Sequence, residues 1–137
     1  MSDTASSQDA LVTVMVTMCV ADHDMANVEL SSIETLIARL PVFDGFDRSR
    51  IGAIADRVAG RLQEANGLEA ILDEVKSALP ARLQETAYAL AVEVASADVV
   101  AEQEELRFME MLRDAFEVSR LNTAAIEHSA RVRYRKA

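Results

Sequence analysis

Residues 8–21 read Gln-Asp-Ala-Leu-Val-Thr-Val-Met-Val-Thr-Met-Cys-Val-Ala, and from Leu11 onward apolar side chains point to nearly every side of a helix. A helix without a polar face has to be surrounded by other helices. The run Leu11–Ala21 is well short of the about 20 apolar residues that a bilayer requires. It stands between Asp9 and Asp22, and the first basic residue of the chain is Arg39, so it lacks the basic front of a signal peptide. The expectation is a helix at the centre of a soluble, cytoplasmic bundle, with no membrane insertion.

The rest of the composition agrees. The chain has 137 residues, a single domain's worth, of which 50% are apolar but only 4% aromatic, with no Trp. Ala, Leu, Val, Ile and Met must therefore build the core. Four Gly and two Pro are too few for the turns of an all-β chain. A net charge of −9 argues against nucleic acid as the main partner and favours cations or a basic protein surface. The one cysteine, Cys19, rules out an internal disulfide framework and a multi-cysteine zinc site, and its place in the apolar run predicts a buried small hydrophobe.

Working outward, residues 1–7 are small and polar and are expected to be disordered, with a single helical domain over 8–137. Ser6 and Asp9 resemble a helix start. A second helix, Val28–Leu40, carries Ile33, Leu36, Ile37 and Leu40 on one face and stops at Pro41. Asp44–Gly45 marks a turn. Asp47 should cap a third helix from Arg48 to Ala65, with Ile51, Ile54, Val58 and Leu62 inward. Asn66–Gly67 reads as a helix-ending pair with Gly in the left-handed conformation. Leu68–Leu79 is a short fourth helix, and Pro80 opens a mostly apolar fifth, Ala81–Ala97. After a break at Asp98–Glu102, an amphipathic helix runs to Glu117 through Leu106, Met109, Met111, Leu112 and Phe116. The last helix is expected after Asn122 as cap, with Ile126 and Val132 in the core. The fold class is all-α, a compact bundle of about seven helices.

The chain also resembles itself. Sliding Asp22 onto Asp98 places Val20-Ala21 on Ser96-Ala97, Glu29-Leu30 on Glu105-Leu106, Glu34 on Glu110 and Leu36 on Leu112. One residue less of shift puts Phe46-Asp47 on Leu121-Asn122 and Ile51 on Ile126. Two three-helix repeats, about 8–65 and 81–137, would place the two apolar helices at the centre.

Each repeat breaks in the same way: Asp at the end of the apolar helix, then Glu in the first turn of the next. The residues are Asp22 with Glu29 and Asp98 with Glu105. A first-turn Glu suits the positive end of a helix, but Asp at a helix C-terminus opposes the dipole. Three readings offset that cost: each Asp braces its corner by accepting backbone N–H groups, the carboxylates share a cation, or they form a solvated acidic face. Oxygen-only ligands favour Ca²⁺ or Mg²⁺ over Zn²⁺. An EF-hand does not fit: counting from Asp22, the sixth residue is Asn27 and the twelfth Ile33, and from Asp98 the twelfth is Met109.

The paired Ala-Asp units with Glu seven residues on resemble the tellurite resistance TerB-like family, most closely in Ala89–Asp98 through Glu105-Leu106. The likeness spans about Gln8 to Val132. It implies an all-helical, two-repeat fold in the bacterial cytoplasm, a divalent-metal association and a stress-response role that includes resistance to tellurite. By position, the family's acidic residues fall on Asp22, Glu29, Asp98 and Glu105. His23 and Val99 stand where the family usually has Gly.

No catalytic constellation is legible: Cys19 lies in the apolar run, and neither His23 nor His128 stands with a nucleophile. His23, between Asp22 and Asp24, reads as a surface residue first and a metal ligand second. Arg120, Arg131, Arg133, Arg135 and Lys136 give a basic C-terminus, read as a helix end solvated or folded on the acidic body, with an anionic partner as the alternative. The expected function is a non-enzymatic binding module that takes a divalent cation and meets a protein partner. The competing expectation is a metal-independent interaction scaffold. Nothing in the pattern fixes an oligomeric state.

Overall fold

The computed structural model describes the backbone of residues 3–20, 30–97 and 103–137, and the side chains of 4–20, 30–96 and 107–137. Among these residues there are seven α-helices and no strand: α1 (Asp3–Val20), α2 (Ser31–Arg39), α3 (Ile51–Leu62), α4 (Gly67–Ala78), α5 (Ala81–Ala97), α6 (Gln103–Ala115) and α7 (Arg120–Arg133). Short 3₁₀ turns at Pro41–Phe43 and Arg48–Arg50 lead from α2 into α3.

The apolar run does become the centre. Leu11, Val12, Val14, Met15, Val16 and Met18 are all 0% exposed. Two threonines share this buried helix because their hydroxyls return to the helix's own carbonyls. Thr13 Oγ1 donates to Asp9 O and Thr17 Oγ1 to Thr13 O, each at 2.7 Å. Cys19 is only half-buried.

Cross-links between helices fix their directions. The Asp9–Arg50 ion pair joins the early part of α1 to the entry of α3. α4 opens against Arg61 near the end of α3, and its own end, at Ser77 and Ala78, lies beside Thr4 and Ser7 at the start of α1. α1 and α3 therefore run the same way. Gln8 Nε2 donates to Val42 O at 3.1 Å and Asp44 O at 2.9 Å, so the chain has come back to the start of α1 by the end of α2. On the other side, Glu85 meets Asn122, Tyr88 meets Glu127 and Glu93 meets Arg133, which makes α5 and α7 parallel. α6 returns along α5 and α4, with Arg107 near Glu69 at the start of α4 and Arg113 near Glu127 of α7.

α1 packs most extensively against α5. The first turns of both, with Thr4, Ser7 and Gln8 from one side and Arg82 and Leu83 from the other, line one cleft. The two central helices are consequently parallel, and they end, at Val20 and Ala97, on the same pole of the bundle.

Local expectations fare unevenly. Asp47 does cap: its carboxylate accepts the Ser49 N–H at 3.0 Å and the Ser49 hydroxyl at 2.7 Å, contacts that pull its pKa below the usual range. Gly45 has φ +80 in its turn. Four expectations need correction. α1 begins at Asp3, ahead of Gln8, because Ser7 and Gln8 are buried and Gln8 ties the first turns to the Val42–Asp44 segment. Gly67 has no positive φ; it opens α4 so close to α3 that a Cβ would lie 2.1 Å from Arg61 O. α7 begins before Asn122, since the Ser119 hydroxyl accepts the Asn122 N–H at 3.1 Å and is the true cap. Val132 is 46% exposed, because the inward face of α7 is built by Thr123, Ile126 and Ala130.

Candidate functional site

Of the four carboxylates expected to form a site, Asp22, Glu29 and Asp98 lie outside the described residues. Glu105 belongs to α6 by its backbone, and its side chain is likewise outside them; so is His23. The described flanks carry the relevant geometry. Val20, 4% exposed, closes α1, and Leu30 precedes α2, its carbonyl accepting the Glu34 N–H at 3.1 Å. Because α1 and α5 are parallel, the chain leaves both for its acidic breaks at one pole. Among the described residues no group of three or more His, Cys, Asp or Glu could hold a metal ion.

Several described carboxylates are instead engaged by arginines. Glu74 takes Arg57 at 2.9 Å and Arg61 at 3.5 Å, Glu69 takes Arg107 at 3.4 Å, and Glu93 takes Arg133. These are half-exposed pairs, each worth at most about 1 kcal/mol. A more consequential link is the Tyr88 hydroxyl, which donates to Glu127 Oε2 at 2.6 Å from a fully buried ring. Burial, and then this carboxylate, push the tyrosine up to about 12. Sequence reasoning passed over Tyr88; the signal was a large ring with a hydroxyl inside an otherwise apolar helix, which needs a partner once buried. Tyr134 repeats the device at the surface, donating to Glu93 Oε2 at 2.6 Å, so this part of the basic C-terminus folds against α5.

At the other pole lies a cleft of about 900 Å³ between the starts of α1 and α5 and the end of α4. Its lining includes Ser7, Gln8, Glu74, Ser77 and Arg82. No pattern in the sequence pointed to it, because its residues come from three separate helix ends.

A family model described as tellurite resistance protein TerB matches residues 8–128. The chain belongs to the TerB family. No curated protein and no solved structure matches it. The TerB match runs from Gln8 in α1 to His128 in α7 and so spans both acidic breaks. Within this TerB chain, no described helix is long and apolar enough to cross a membrane.

Proposed function

We propose that this TerB-family chain is a non-catalytic binding module of a bacterial stress response, working in the cytoplasm. Its acidic corners, Asp22 with Glu29 and Asp98 with Glu105, take a divalent cation, and the cation-loaded face meets a protein partner. The observation that carries this reading is the parallel course of α1 and α5, which starts both breaks from one pole. Four carboxylates brought to one pole would repel one another unless they spread, take up protons or bind a cation. A donor set of carboxylate oxygens suits Ca²⁺ or Mg²⁺ better than Zn²⁺. The burial of matching positions in the two central helices supports the duplicated arrangement: Leu11, Val14 and Met18 correspond to Ala87, Leu90 and Val94 when Asp22 is set on Asp98.

Calorimetric titration of metal-free protein with Ca²⁺, Mg²⁺, Mn²⁺ and Zn²⁺ tests it. Saturable heat with Ca²⁺ or Mg²⁺ that disappears in Asp98→Asn is the expected result. Absence of binding at about millimolar ion, an affinity of roughly 4 kcal/mol, leaves the second reading, a metal-independent interaction scaffold.

A further inference from the structure

We propose that the cleft at the N-terminal pole binds a small hydroxylated molecule bearing a phosphate group. This site is separate from the acidic corners and stands whether or not they bind metal.

The phosphate end is defined by α5. The Leu83 and Gln84 N–H groups both close on Pro80 O, at 2.9 and 3.1 Å, which leaves those of Ala81 and Arg82 with no backbone acceptor among the described residues. Pro80 has no side-chain oxygen with which to cap them, and α5 has no acidic residue in its first turn. A helix start in this condition attracts an anion. Arg82 stands in the same turn, lines the cleft and makes no ion pair with a described carboxylate. Glu74, the acid in the lining, is already held by Arg57 and Arg61.

The second, independent observation comes from α1. Ser7 and Gln8 line the cleft and are each 6% exposed. The Ser7 hydroxyl has no hydrogen-bond partner among the described residues. Gln8 uses Nε2 on Val42 O and Asp44 O, and its Oε1 receives no donor from them. Buried polar atoms without partners are uncommon in folded proteins. Two residues lining one cleft, one with an unengaged acceptor oxygen and one with an unengaged hydroxyl, suit a ligand that donates, such as a sugar-like hydroxyl. The volume of about 900 Å³ exceeds what a bare ion needs and falls in the range of small-molecule sites. Nor does the chain's net charge of −9 forbid an anion here. Val20 at the far end of α1 is about 20 Å along the axis from Ser7, beyond two screening lengths of about 8 Å at physiological salt.

The test is an amide NMR titration of the full chain with glucose phosphate, and with inorganic phosphate and glucose as separate probes. Glucose phosphate should shift the Ser7, Ala81 and Arg82 amides and the Gln8 side-chain amide together, to saturation. Phosphate alone should bind the same amides about tenfold more weakly, and Arg82→Gln should weaken glucose phosphate by about tenfold, the scale of one charge-assisted hydrogen bond. Ser7→Ala, which keeps a helix-forming residue, should weaken it about threefold while leaving phosphate unchanged. No saturable shift at these amides with about 10 mM of any probe, an affinity below about 3 kcal/mol, overturns the proposal. So does binding that Arg82→Gln leaves intact, and equal affinity for phosphate and glucose phosphate removes the hydroxyl-recognising half.

Discussion

The hydroxyl of Tyr88, buried on α5, donates to Glu127 Oε2 on α7 at 2.6 Å, with Arg113 of α6 3.5 Å from the same oxygen. One carboxylate thus ties three helices of the C-terminal half together. Tyr88 is held up at about 12, against about 10 for a free tyrosine, first by burial and then by Glu127. A raised pKa contributes stability that is fully present below about pH 10 and is lost as pH rises toward about 12. Denaturant midpoints should therefore stay level up to about pH 9 and then fall. Tyr88→Phe should lower stability by about 1–2 kcal/mol at neutral pH, by leaving Glu127 half-buried with one donor fewer, and should make the alkaline fall shallower. An unchanged alkaline slope in that variant would contradict this account of the link.

Glycines in this chain divide by what lies beside them. Gly67→Ala would place a Cβ 2.1 Å from Arg61 O, a backbone atom that cannot swing aside, so α3 and α4 would have to separate. A loss of more than about 2 kcal/mol is expected, as for overpacked cores. Gly52 and Gly60 lie in α3, exposed, and a methyl group added at either would meet nothing within 4 Å. Alanine at either should stabilise the protein by about 0.5–1 kcal/mol through helix propensity. Thermal melts of the three single variants read the contrast directly.

The cap of α7 offers a paired substitution. Ser119→Ala removes the acceptor of the Asn122 N–H and should cost about 1 kcal/mol. Asn122→Ala keeps that backbone bond and loses only an exposed side-chain contact to Glu85, so it should cost no more than about 0.5 kcal/mol. Reversal of that order in denaturant unfolding would restore Asn122 as the cap.

These cases show where sequence reading succeeds. Periodicity found α1 as the central helix and gave α5 its observed bounds, Ala81–Ala97, because burial on all sides leaves a compositional trace. Asp47 was legible because a cap acts within a few residues of itself. Gly67 and Gln8 were not, because their roles depend on Arg61 across a loop and on the Val42–Asp44 segment more than thirty residues away. Ser119 and Asn122 are both good caps in isolation; in the fold Ser119 caps α7, while the Asn122 side-chain amide donates to Glu85 across to α5. Asp22, Glu29, Asp98 and Glu105 were legible as candidates from their repetition. The described residues carry only the helices that lead into and out of their two breaks.

The most direct test of the central claim, that both acidic breaks form one cation-binding pole, is paramagnetic broadening of backbone amides by Mn²⁺. The amides of Val20 and Ala97, at the ends of the two parallel helices, should broaden together at the same low Mn²⁺ concentration, and excess Ca²⁺ should restore both. Gln8, about 18 Å away along α1, and Leu83 at the start of α5 should stay sharp. Broadening confined to one of the two ends, or spread evenly over both poles, would contradict the account.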